Sequence, residues 1–434
     1  MSADTTPLRV GLAGLGTVGA GVLRVLAGSA DLITSRAGRP IQVVAVSARN
    51  RSQDRGVDLS TIRWHDDATA LATDTEVDVV VELIGGANGP ARTLVETALA
   101  HGKPVVTANK ALIAHHGAEL AAQPGAILLF EAAVAGGIPV LKALREGLAG
   151  NRILSVAGIL NGTCNYILTT MRNERRDFAD VLADAQRLGY AEIDPAFDID
   201  GVDAAHKLAI LAALAFNGPV DFSDVHVEGI RQVSAEDIAH AEELGYRVKL
   251  LGIARRTAGG IELRVHPCMV PISNPIALVD GVNNAVVIEG DAVGRIMLEG
   301  RGAGAGPTAS AVVADLIDIA RGRTGPAWGT ERGVAMPVTP MAVTPMLRHA
   351  GAYYLRLMVQ DRAGVIADVT AALRDAGVSL ESMLQRGRGP AGDTVAVVLV
   401  THDTTEDAIR RALAAIGALP SVVSPPALIR IEPT

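Results

Sequence analysis

The 434-residue chain contains little cysteine and few aromatic residues, and it has no long apolar run. Its two cysteines, Cys164 and Cys268, cannot build a disulfide framework or a cysteine-only metal site. The longest apolar stretch, Leu208–Phe216, has nine residues, whereas a membrane-spanning helix needs about 20. The first residues show no basic segment followed by an apolar one, so no secretory signal is predicted. We therefore expect a cytoplasmic protein that does not use a membrane as a partner.

Positive charge is also scarce, because the net charge is -8 and the basic residues form no cluster. This argues against nucleic acid as a partner. Of the 39 basic residues only five are lysine, namely Lys103, Lys110, Lys142, Lys207 and Lys249. A lysine pKa can be moved into a working range, whereas arginine stays charged. Each retained lysine is therefore a chemical candidate, although composition bias alone also explains so small a number.

The pattern of apolar residues divides the chain into several domains. Residues 1–150 alternate strand and helix, which predicts a parallel sheet with right-handed crossovers. Residues 151–321 read as a mixed α+β domain, with a helix near 306–321 that returns to the first domain. Residues 322–350 are rich in proline and glycine and predict a linker that few contacts cross. Residues 351–434 follow a βαββαβ order, the ferredoxin-like arrangement. The predicted fold class is α/β.

A glycine motif, Gly14-x-Gly16-x-x-Gly19, follows the first predicted strand and opens the first helix. Such glycines permit a tight turn, close approach of a pyrophosphate and close helix packing. The motif predicts a dinucleotide site formed by Gly14, Leu15, Gly16, Thr17, Val18 and Gly19. A glycine-rich turn without a ligand is the alternative.

The end of the second strand bears on the choice of cofactor. NAD sites usually have an acidic residue there, bonded to the ribose 2′-hydroxyl. The segment Val46–Arg51 contains no acid and carries Arg49 and Arg51. The sequence therefore favours NADP over NAD, unless these arginines are simply solvated loop residues.

Lys110 follows the predicted strand Pro104–Thr107 and stands at a helix N-terminus. Ligands bind at the carboxyl ends of such strands. A cation at a helix N-terminus is disfavoured by the helix dipole, so this placement indicates a functional lysine.

Five acidic residues lie within twelve positions in the segment Gly189–Lys207, which leads into a long apolar helix. Asp203 and Lys207 are four residues apart on that helix and share a face, so they can pair. The loop acids could bind an ammonium group, or the segment is a solvated acidic loop with a surface ion pair. The neighbouring His206 is predicted to pack or face solvent. The histidines lack metal-ligand spacing, so a catalytic transition metal is not expected.

These segments together resemble the homoserine dehydrogenase family. The shared segments are the glycine motif, Glu82–Gly86, Thr107–Lys110, Glu131–Pro139, Asn161–Tyr166, Gly189–Lys207 and Arg301–Thr308. The tail, with Asp361–Val365 between a strand and a helix, resembles an ACT domain, a small module that binds amino acids. The resemblance therefore implies a Rossmann-type domain, a catalytic and dimerisation domain, and a C-terminal regulatory domain.

The resemblance also implies an activity and roles for individual residues. The activity is the NAD(P)-dependent interconversion of L-homoserine and L-aspartate 4-semialdehyde, in threonine, methionine and isoleucine biosynthesis. Lys207 would be the acid/base, positioned by Asp203, with Lys110 as a second cation near the reacting oxygen. Glu192 and Asp203 would hold the substrate ammonium, and Asp198 and Thr163 would shape the pocket. Lys110 and Gly302 would also contribute to the cofactor site.

Three further expectations come from the family alone. Backbone carbonyls of Glu131, Val134, Gly136 and Ile138 would bind a monovalent cation, usually sodium. The chain would form a homodimer or homotetramer. Threonine would act as an effector at the ACT domain.

Two other classes of function are compatible with the residues. One is a different semialdehyde or amino-acid dehydrogenase on the same scaffold. The other is a non-catalytic amino-acid sensor, but Lys110 and Lys207 are both present, and a sensor that had lost catalysis would be expected to have lost one of them.

Overall fold

The computed structural model describes residues 6–219, 221–328, 342–385 and 394–433. Its strands are β1 Leu8–Ala13, β2 Ile41–Ser47, β3 Arg63–His65, β4 Val79–Glu82, β5 Val105–Thr107, β6 Leu128–Leu129, β7 Ile153–Ile159, β8 His226–Val227, β9 Tyr246–Thr257, β10 Gly260–Pro271, β11 Asn283–Gly290, β12 Gly294–Arg301, β13 Ala350–Gln360, β14 Leu380–Gln385, β15 Thr394–Thr401, β16 Thr404–Thr405 and β17 Ala427–Ile431.

The α-helices are α1 Thr17–Gly28, α2 Ala30–Ala37, α3 Ala70–Thr73, α4 Pro90–Ala100, α5 Lys110–Ala121, α6 Val140–Lys142, α7 Gly162–Glu174, α8 Phe178–Arg187, α9 Ala196–Ile199, α10 Val202–Phe216, α11 Ala235–Glu243, α12 Ala305–Ala320, α13 Val365–Asp375 and α14 Glu406–Gly417. In the part of the chain that the structure describes, no single helix is long and apolar enough to span a membrane, and α1 and α2 meet that length only as a pair bent by 83°.

The elements fall into two compact units. The first comprises the described residues of 1–162, 203–225 and 282–341. Its main sheet is parallel, with strand order β3-β2-β1-β4-β5-β6, which is the order of dinucleotide-binding folds. β4 is buried along its whole length, as expected for a parallel strand covered on both faces. The carboxyl ends of β1, β4 and β5 therefore lie along one edge, where a ligand is expected.

Helices α1 and α12 cover one face of this sheet. Their buried apolar side chains join those of β1 and β2 in one core cluster. The two helices approach closely at Gly21, where a Cβ would lie 2.6 Å from the carbonyl oxygen of Ala305. The chain thus returns to the first sheet after the antiparallel strands β7, β11 and β12, which pair in the order β12-β11-β7.

The second unit comprises the described residues of 163–202, 226–281 and 342–434. β9 and β10 form a long antiparallel hairpin. β13, α13, β14, β15, α14 and β17 form the predicted βαββαβ arrangement, with strand order β17-β13-β15-β14. Its core contains Tyr353, Leu357, Val369 and Ile409, all fully buried.

The expectation that few contacts join the C-terminal region to the preceding domain is wrong. β17 pairs in parallel with β10, with Arg430 opposite Cys268 and Ile431 opposite Met269. A buried ion pair between Arg264 of β10 and Glu432 reinforces this pairing. Of the predicted linker, residues 329–341 lie outside the described residues.

Candidate active site

The glycine loop between β1 and α1 has the geometry of a phosphate-binding turn. Gly14 has a φ of 95°, and a Cβ there would lie 2.4 Å from the Leu83 carbonyl oxygen. A Cβ at Gly19 would lie 2.0 Å from the Gly14 carbonyl oxygen. Around Gly16, by contrast, no heavy atom of the described residues lies within 4 Å of an added Cβ. The N-terminus of α1, with Gly16 and Thr17 exposed, is therefore open to an anion.

Three arginines follow β2, of which sequence reasoning singled out Arg49 and Arg51. Both of these side chains are exposed, and the Arg51 guanidinium lies 5.8 Å from the Trp64 ring centre. Arg55 was missed, yet its Nε donates to the Leu15 carbonyl oxygen at 3.1 Å. Its guanidinium is 5.6 Å from the same ring. The spacing of three arginines within seven residues was the signal that could have identified Arg55.

Lys110 begins α5 at the carboxyl edge of the parallel sheet, as predicted. A fully buried carboxylate, Glu82, organises this edge. It accepts hydrogen bonds from the Thr107 hydroxyl at 2.6 Å and from the Ile84 and Gly85 amides. Asn109 caps α5 through its side chain. Glu82 therefore positions the start of α5, a role that the sequence did not reveal.

Lys110, Asp203, Lys207 and Asn161 come together in one group, here called the lysine cluster. Lys207 Nζ lies 2.7 Å from Asp203 Oδ2 and 2.7 Å from the Leu160 carbonyl oxygen. Lys110 Nζ lies 3.0 Å from Asp203 Oδ1. Asn161 Nδ2 donates to Asp203 Oδ2 at 2.9 Å. One carboxylate thus connects two ammonium groups, and the predicted pairing of Asp203 with Lys207 is observed.

The two lysines differ in their access to solvent. Asp203 and Lys207 side chains are 6% and 11% exposed, whereas Lys110 is 33% exposed. Burial disfavours the ionised form of Asp203, but the charges of Lys207 and Lys110 outweigh it and hold the pKa of this carboxyl well below its usual range. Asp203 is therefore a permanent anion that orients both cations.

His206, next to Lys207, is buried. It packs against neighbouring aromatic rings, which is one of the two predicted alternatives. Its ring centre lies 4.3 Å from that of Phe222, and its Nε2 is 3.1 Å from Nε2 of His115. Burial, together with His115, lowers the pKa of His206 to about 4. His206 is therefore neutral at pH 7 and adds no charge beside the cluster.

Thr163, Glu192 and Asp198 belong to the second unit. The Thr163 hydroxyl donates to the Tyr190 carbonyl oxygen at 2.8 Å, and Cys164 Sγ lies 3.3 Å from the Asp198 carbonyl oxygen. These bonds fasten the acidic segment to the start of α7. The Glu192 side chain is exposed, as a group that binds a substrate ammonium must be.

The loop Glu131–Ile138 is largely buried and tightly folded. Ala135 and Gly136 have φ angles of 54° and 50°. A Cβ at Gly136 would lie 2.4 Å from the carbonyl oxygen of Gly302, so Gly302 supports this loop directly. The Glu131 carboxylate accepts from the Leu141 and Lys142 amides. Within the described ranges, no three His, Cys, Asp or Glu side chains form a metal site.

Three family models match the chain. The model described as "Homoserine dehydrogenase" matches residues 139–317, and that of the "Homoserine dehydrogenase, NAD binding domain" matches 14–126. The ACT domain model matches residues 353–418.

Relatives match over the full length. Homoserine dehydrogenases of Pseudomonas aeruginosa and Neisseria gonorrhoeae are each 48% identical, and each match covers 98% of this chain and 99% of the relative. The crystal structure of a homoserine dehydrogenase from Thiobacillus denitrificans has a TM-score of 0.92 at 49% identity, covering 99% of both chains. A hyperthermophilic archaeal homoserine dehydrogenase in complex with NADPH has a TM-score of 0.61 at 26% identity, covering 72% of this chain and 97% of that one.

Proposed function

The chain belongs to the homoserine dehydrogenase family, and we propose that the lysine cluster carries out the proton transfer of its reaction. The enzyme is an NAD(P)-dependent oxidoreductase that acts on the CH–OH group of homoserine. It interconverts L-homoserine and L-aspartate 4-semialdehyde in the biosynthesis of threonine, methionine and isoleucine. The observation that carries the proposal is the sharing of the Asp203 carboxylate by Lys110 and Lys207.

Lys207 is the acid/base in this proposal. A bound nicotinamide supplies or takes up the hydride at the substrate carbon. In the direction of reduction, the alkoxide oxygen formed by hydride addition gains a proton from Lys207 Nζ; in the direction of oxidation, the substrate hydroxyl gives its proton to Lys207 Nζ as the hydride leaves the carbon. Asp203 and the Leu160 carbonyl oxygen engage two of the three ammonium protons, and we assign the third to the substrate oxygen. Lys110, the more exposed cation, stabilises negative charge on the same oxygen and contributes to the cofactor site.

The remaining site assignments rest on position and chemistry. Gly14–Gly19 receive the pyrophosphate at the start of α1. Glu192 and Asp203 hold the substrate ammonium, while Asp198 and Thr163 shape the pocket. The loop carbonyls of Glu131, Val134, Gly136 and Ile138 hold a monovalent cation, for which sodium is our choice. Gly302, predicted to contact the cofactor, supports the Gly136 turn of that loop.

We favour NADP as the cofactor, with NAD as the alternative. The support is the absence of an acidic residue at the end of β2 and the presence of the exposed Arg49 and Arg51 in the following loop; the Arg55 guanidinium instead donates to the backbone oxygens of Leu15, Gln53 and Asn50. Arginine suits a phosphate because its guanidinium forms paired hydrogen bonds.

We further infer a homodimer or homotetramer that is feedback-regulated through the ACT domain, with threonine as effector at the Asp361–Val365 turn. Gly364 in this turn has a φ of 94° and precedes α13, so backbone N–H groups face outward at a helix N-terminus. A cytoplasmic location agrees with Cys164 and Cys268 being free thiols.

The proposal for Lys207 is tested by Lys207→Ala. Since general acid–base catalysis typically contributes about 10²–10⁴-fold, kcat should fall by at least about a hundredfold, with a much smaller change in KM. Lys103→Ala is the matched control, because Lys103 lies outside the lysine cluster and its Nζ donates to the backbone oxygens of Leu71 in α3 and of Asp74 just after it, so kcat should not change. A Lys207→Ala enzyme that keeps more than about a tenth of the wild-type kcat would refute the assignment.

A further inference from the structure

Lys249, one of the five lysines of the chain, lies outside the lysine cluster and is buried in the second unit. It stands in β9, and its side chain is only 1% exposed. Its Nζ lies 2.6 Å from the Val279 carbonyl oxygen, 3.1 Å from Asn165 Oδ1 and 3.1 Å from Asp280 Oδ1. Burial lowers the pKa of Lys249 to about 8, and the charge of Asp280 opposes that shift. Lys249 is therefore a buried cation at pH 7.

The geometry around this ammonium group suits lysine and not arginine. An ammonium group carries three protons around one atom, and three oxygens surround Nζ here. A guanidinium holds its donors in a rigid planar fork and does not fit such an arrangement. In a chain where only five of 39 basic residues are lysine, this position therefore selects lysine for its shape as well as for its charge.

The oxygens that surround Lys249 connect helix α7 to the segment that follows the turn Pro275–Leu278. Asn165 and Arg172 are seven residues apart in α7, so they lie on the same face of the helix. Asn165 Nδ2 donates to the Val279 carbonyl oxygen at 3.1 Å. Arg172 Nη2 lies 2.7 Å from Asp280 Oδ2. This face of α7 is therefore held against the same two residues that bind Lys249.

The first turn of α7 in turn holds the acidic segment. The Thr163 hydroxyl donates to the Tyr190 carbonyl oxygen at 2.8 Å. The ring centres of Tyr166 and Tyr190 are 4.8 Å apart. Asn165, the partner of Lys249, stands between Thr163 and Tyr166, and Tyr190 precedes Glu192 by two residues. A shift of the Asn165 side chain would therefore move the contacts that support Glu192.

We propose that Lys249 is a positioning residue for homoserine. By holding Asn165 it fixes the first turn of α7, and through that turn it fixes the acidic segment that binds the substrate ammonium. The inference rests on the proposed role of Glu192. Loss of Lys249 should raise the homoserine KM and leave kcat to the lysine cluster. A lysine with a merely structural role would lower the Tm and leave the KM of the folded enzyme unchanged.

The first test replaces Lys249 by methionine, which is also unbranched but carries no charge. In homoserine oxidation at saturating NADP, Lys249→Met should raise the homoserine KM at least about tenfold, the loss expected when a charge-assisted hydrogen bond to the ammonium is misaligned. Both kcat and the KM for NADP should stay close to wild type. Arg264→Met is the matched control, because Arg264 is equally buried in the neighbouring strand β10. It should lower the Tm without changing the homoserine KM.

Three results of this comparison would overturn the proposal. One is an unchanged homoserine KM in folded Lys249→Met. Another is a loss confined to kcat. The third is an equal rise of KM in Lys249→Met and Arg264→Met, because it would show that any weakening of the unit disturbs substrate binding.

The second test asks whether Lys249 acts through the acidic segment. Glu192→Gln alone should raise the homoserine KM, but it should add little in Lys249→Met, because coupled residues have non-additive effects. Effects that multiply would overturn the proposal. If Lys249→Met raises KM and Glu192→Gln does not, the role of Glu192 fails while positioning by Lys249 stands. If only Glu192→Gln raises KM, the positioning proposal fails alone.

A third variant decides the question if Lys249→Met does not fold. The Asp280 side chain is 43% exposed, so Asp280→Asn should fold, and its neutral amide should weaken the hold on Lys249 and Arg172. The homoserine KM should then rise severalfold at unchanged kcat. Asp375→Asn, which alters an exposed acid paired with Arg374, should leave KM as in the wild type. An unchanged KM in Asp280→Asn would overturn the proposal.

Discussion

Two of the groups of buried charges in the described residues have different consequences. The lysine cluster of the first unit combines a buried carboxylate with a cation, Lys110, that is one-third exposed. The second group, here called the Arg264 network, consists of Arg264, Glu262, His349 and Glu432. Its side chains are at most 11% exposed. Arg264 bonds both Glu432 and Glu262, and His349 bonds Glu262 at 3.2 Å.

The difference between them lies in access. In the lysine cluster Lys110 is partly exposed to solvent, and we propose that the substrate oxygen binds to the ammonium groups there. In the Arg264 network the partners are other side chains of the same unit, and the effect is to fasten the ACT domain to β10. Perturbing the Arg264 network should therefore cost stability, and perturbing the lysine cluster or its cofactor loop should cost activity.

The largest expected effect on stability follows removal of Arg264. Arg264→Ala removes the shortest ion pair of the buried Glu432, which then has only the longer contacts to Arg255 at 3.5 Å and His349 at 3.8 Å, and breaking such a buried pair costs about 3–5 kcal/mol. Thermal unfolding should show a much lower Tm than for the exposed-pair control Arg374→Ala, whose partner Asp375 is also exposed. A double replacement, Arg264→Met with Glu432→Met, should recover most of the loss. If Arg264→Ala and Arg374→Ala unfold at the same temperature, the network does not fasten the domain.

A smaller effect, on binding alone, is expected for Arg49→Ala. Loss of a charge-assisted bond to a 2′-phosphate costs about 1.5–3 kcal/mol, so Kd for NADP should rise by about tenfold or more. Kd for NAD and the Tm should stay close to wild type, since Arg49 is exposed. Equal losses for both cofactors would show that Arg49 does not recognise the 2′-phosphate.

The smallest effect concerns the cation loop. Burial, with the nearby charge of Asp315, raises the pKa of Glu131 from 4.5 to about 7. Between pH 4.5 and about 7 the Glu131 carboxyl is therefore protonated in the folded protein but ionised in the unfolded chain. The favourable contribution of this carboxyl to the stability of the folded state is complete below pH 4.5 and is lost as the pH rises through 7. Above pH 7 the Glu131 carboxylate is ionised, and its negative charge favours the binding of a cation in the loop Glu131–Ile138.

Replacing choline chloride by sodium chloride at equal ionic strength should therefore raise Tm more at pH 8 than at pH 5.5. At ten times Kd the gain is about 1.4 kcal/mol. In Glu131→Gln the difference between the two pH values should disappear. If sodium raises the Tm of the wild type equally at both pH values, the Glu131 carboxylate does not contribute to cation binding.

The sequence predicts a helix or strand correctly where the local pattern of apolar residues is enough to define that element. The apolar pattern predicts strands over Leu8–Ala13 and Ala427–Ile431 and helices over Val202–Phe216 and Val365–Asp375, and β1, β17, α10 and α13 have these bounds. Helix α7 was not predicted. Its glycine, asparagine and threonine residues are weak helix formers, and burial of Ile167, Leu168 and Met171 stabilises it instead. Tertiary packing therefore overrides local preference there.

The candidate site shows the same limit. The Asp203–Lys207 pair follows from helical spacing, whereas the bond from Lys110 to Asp203 joins residues 93 positions apart and depends on how α5 and α10 pack. The pairing of β17 with β10 is equally non-local. No local pattern predicts such contacts, which explains why the C-terminal region was expected to be separable.

The central claim is that Lys110 and Lys207 act as one unit through Asp203. A double-mutant cycle of kcat for homoserine oxidation, with Lys110→Ala, Lys207→Ala and the double variant, tests it most directly. We predict that the double variant is little slower than Lys207→Ala alone, because residues that act as a unit have strongly non-additive effects. If the two losses multiply, the lysines act independently and the account is contradicted.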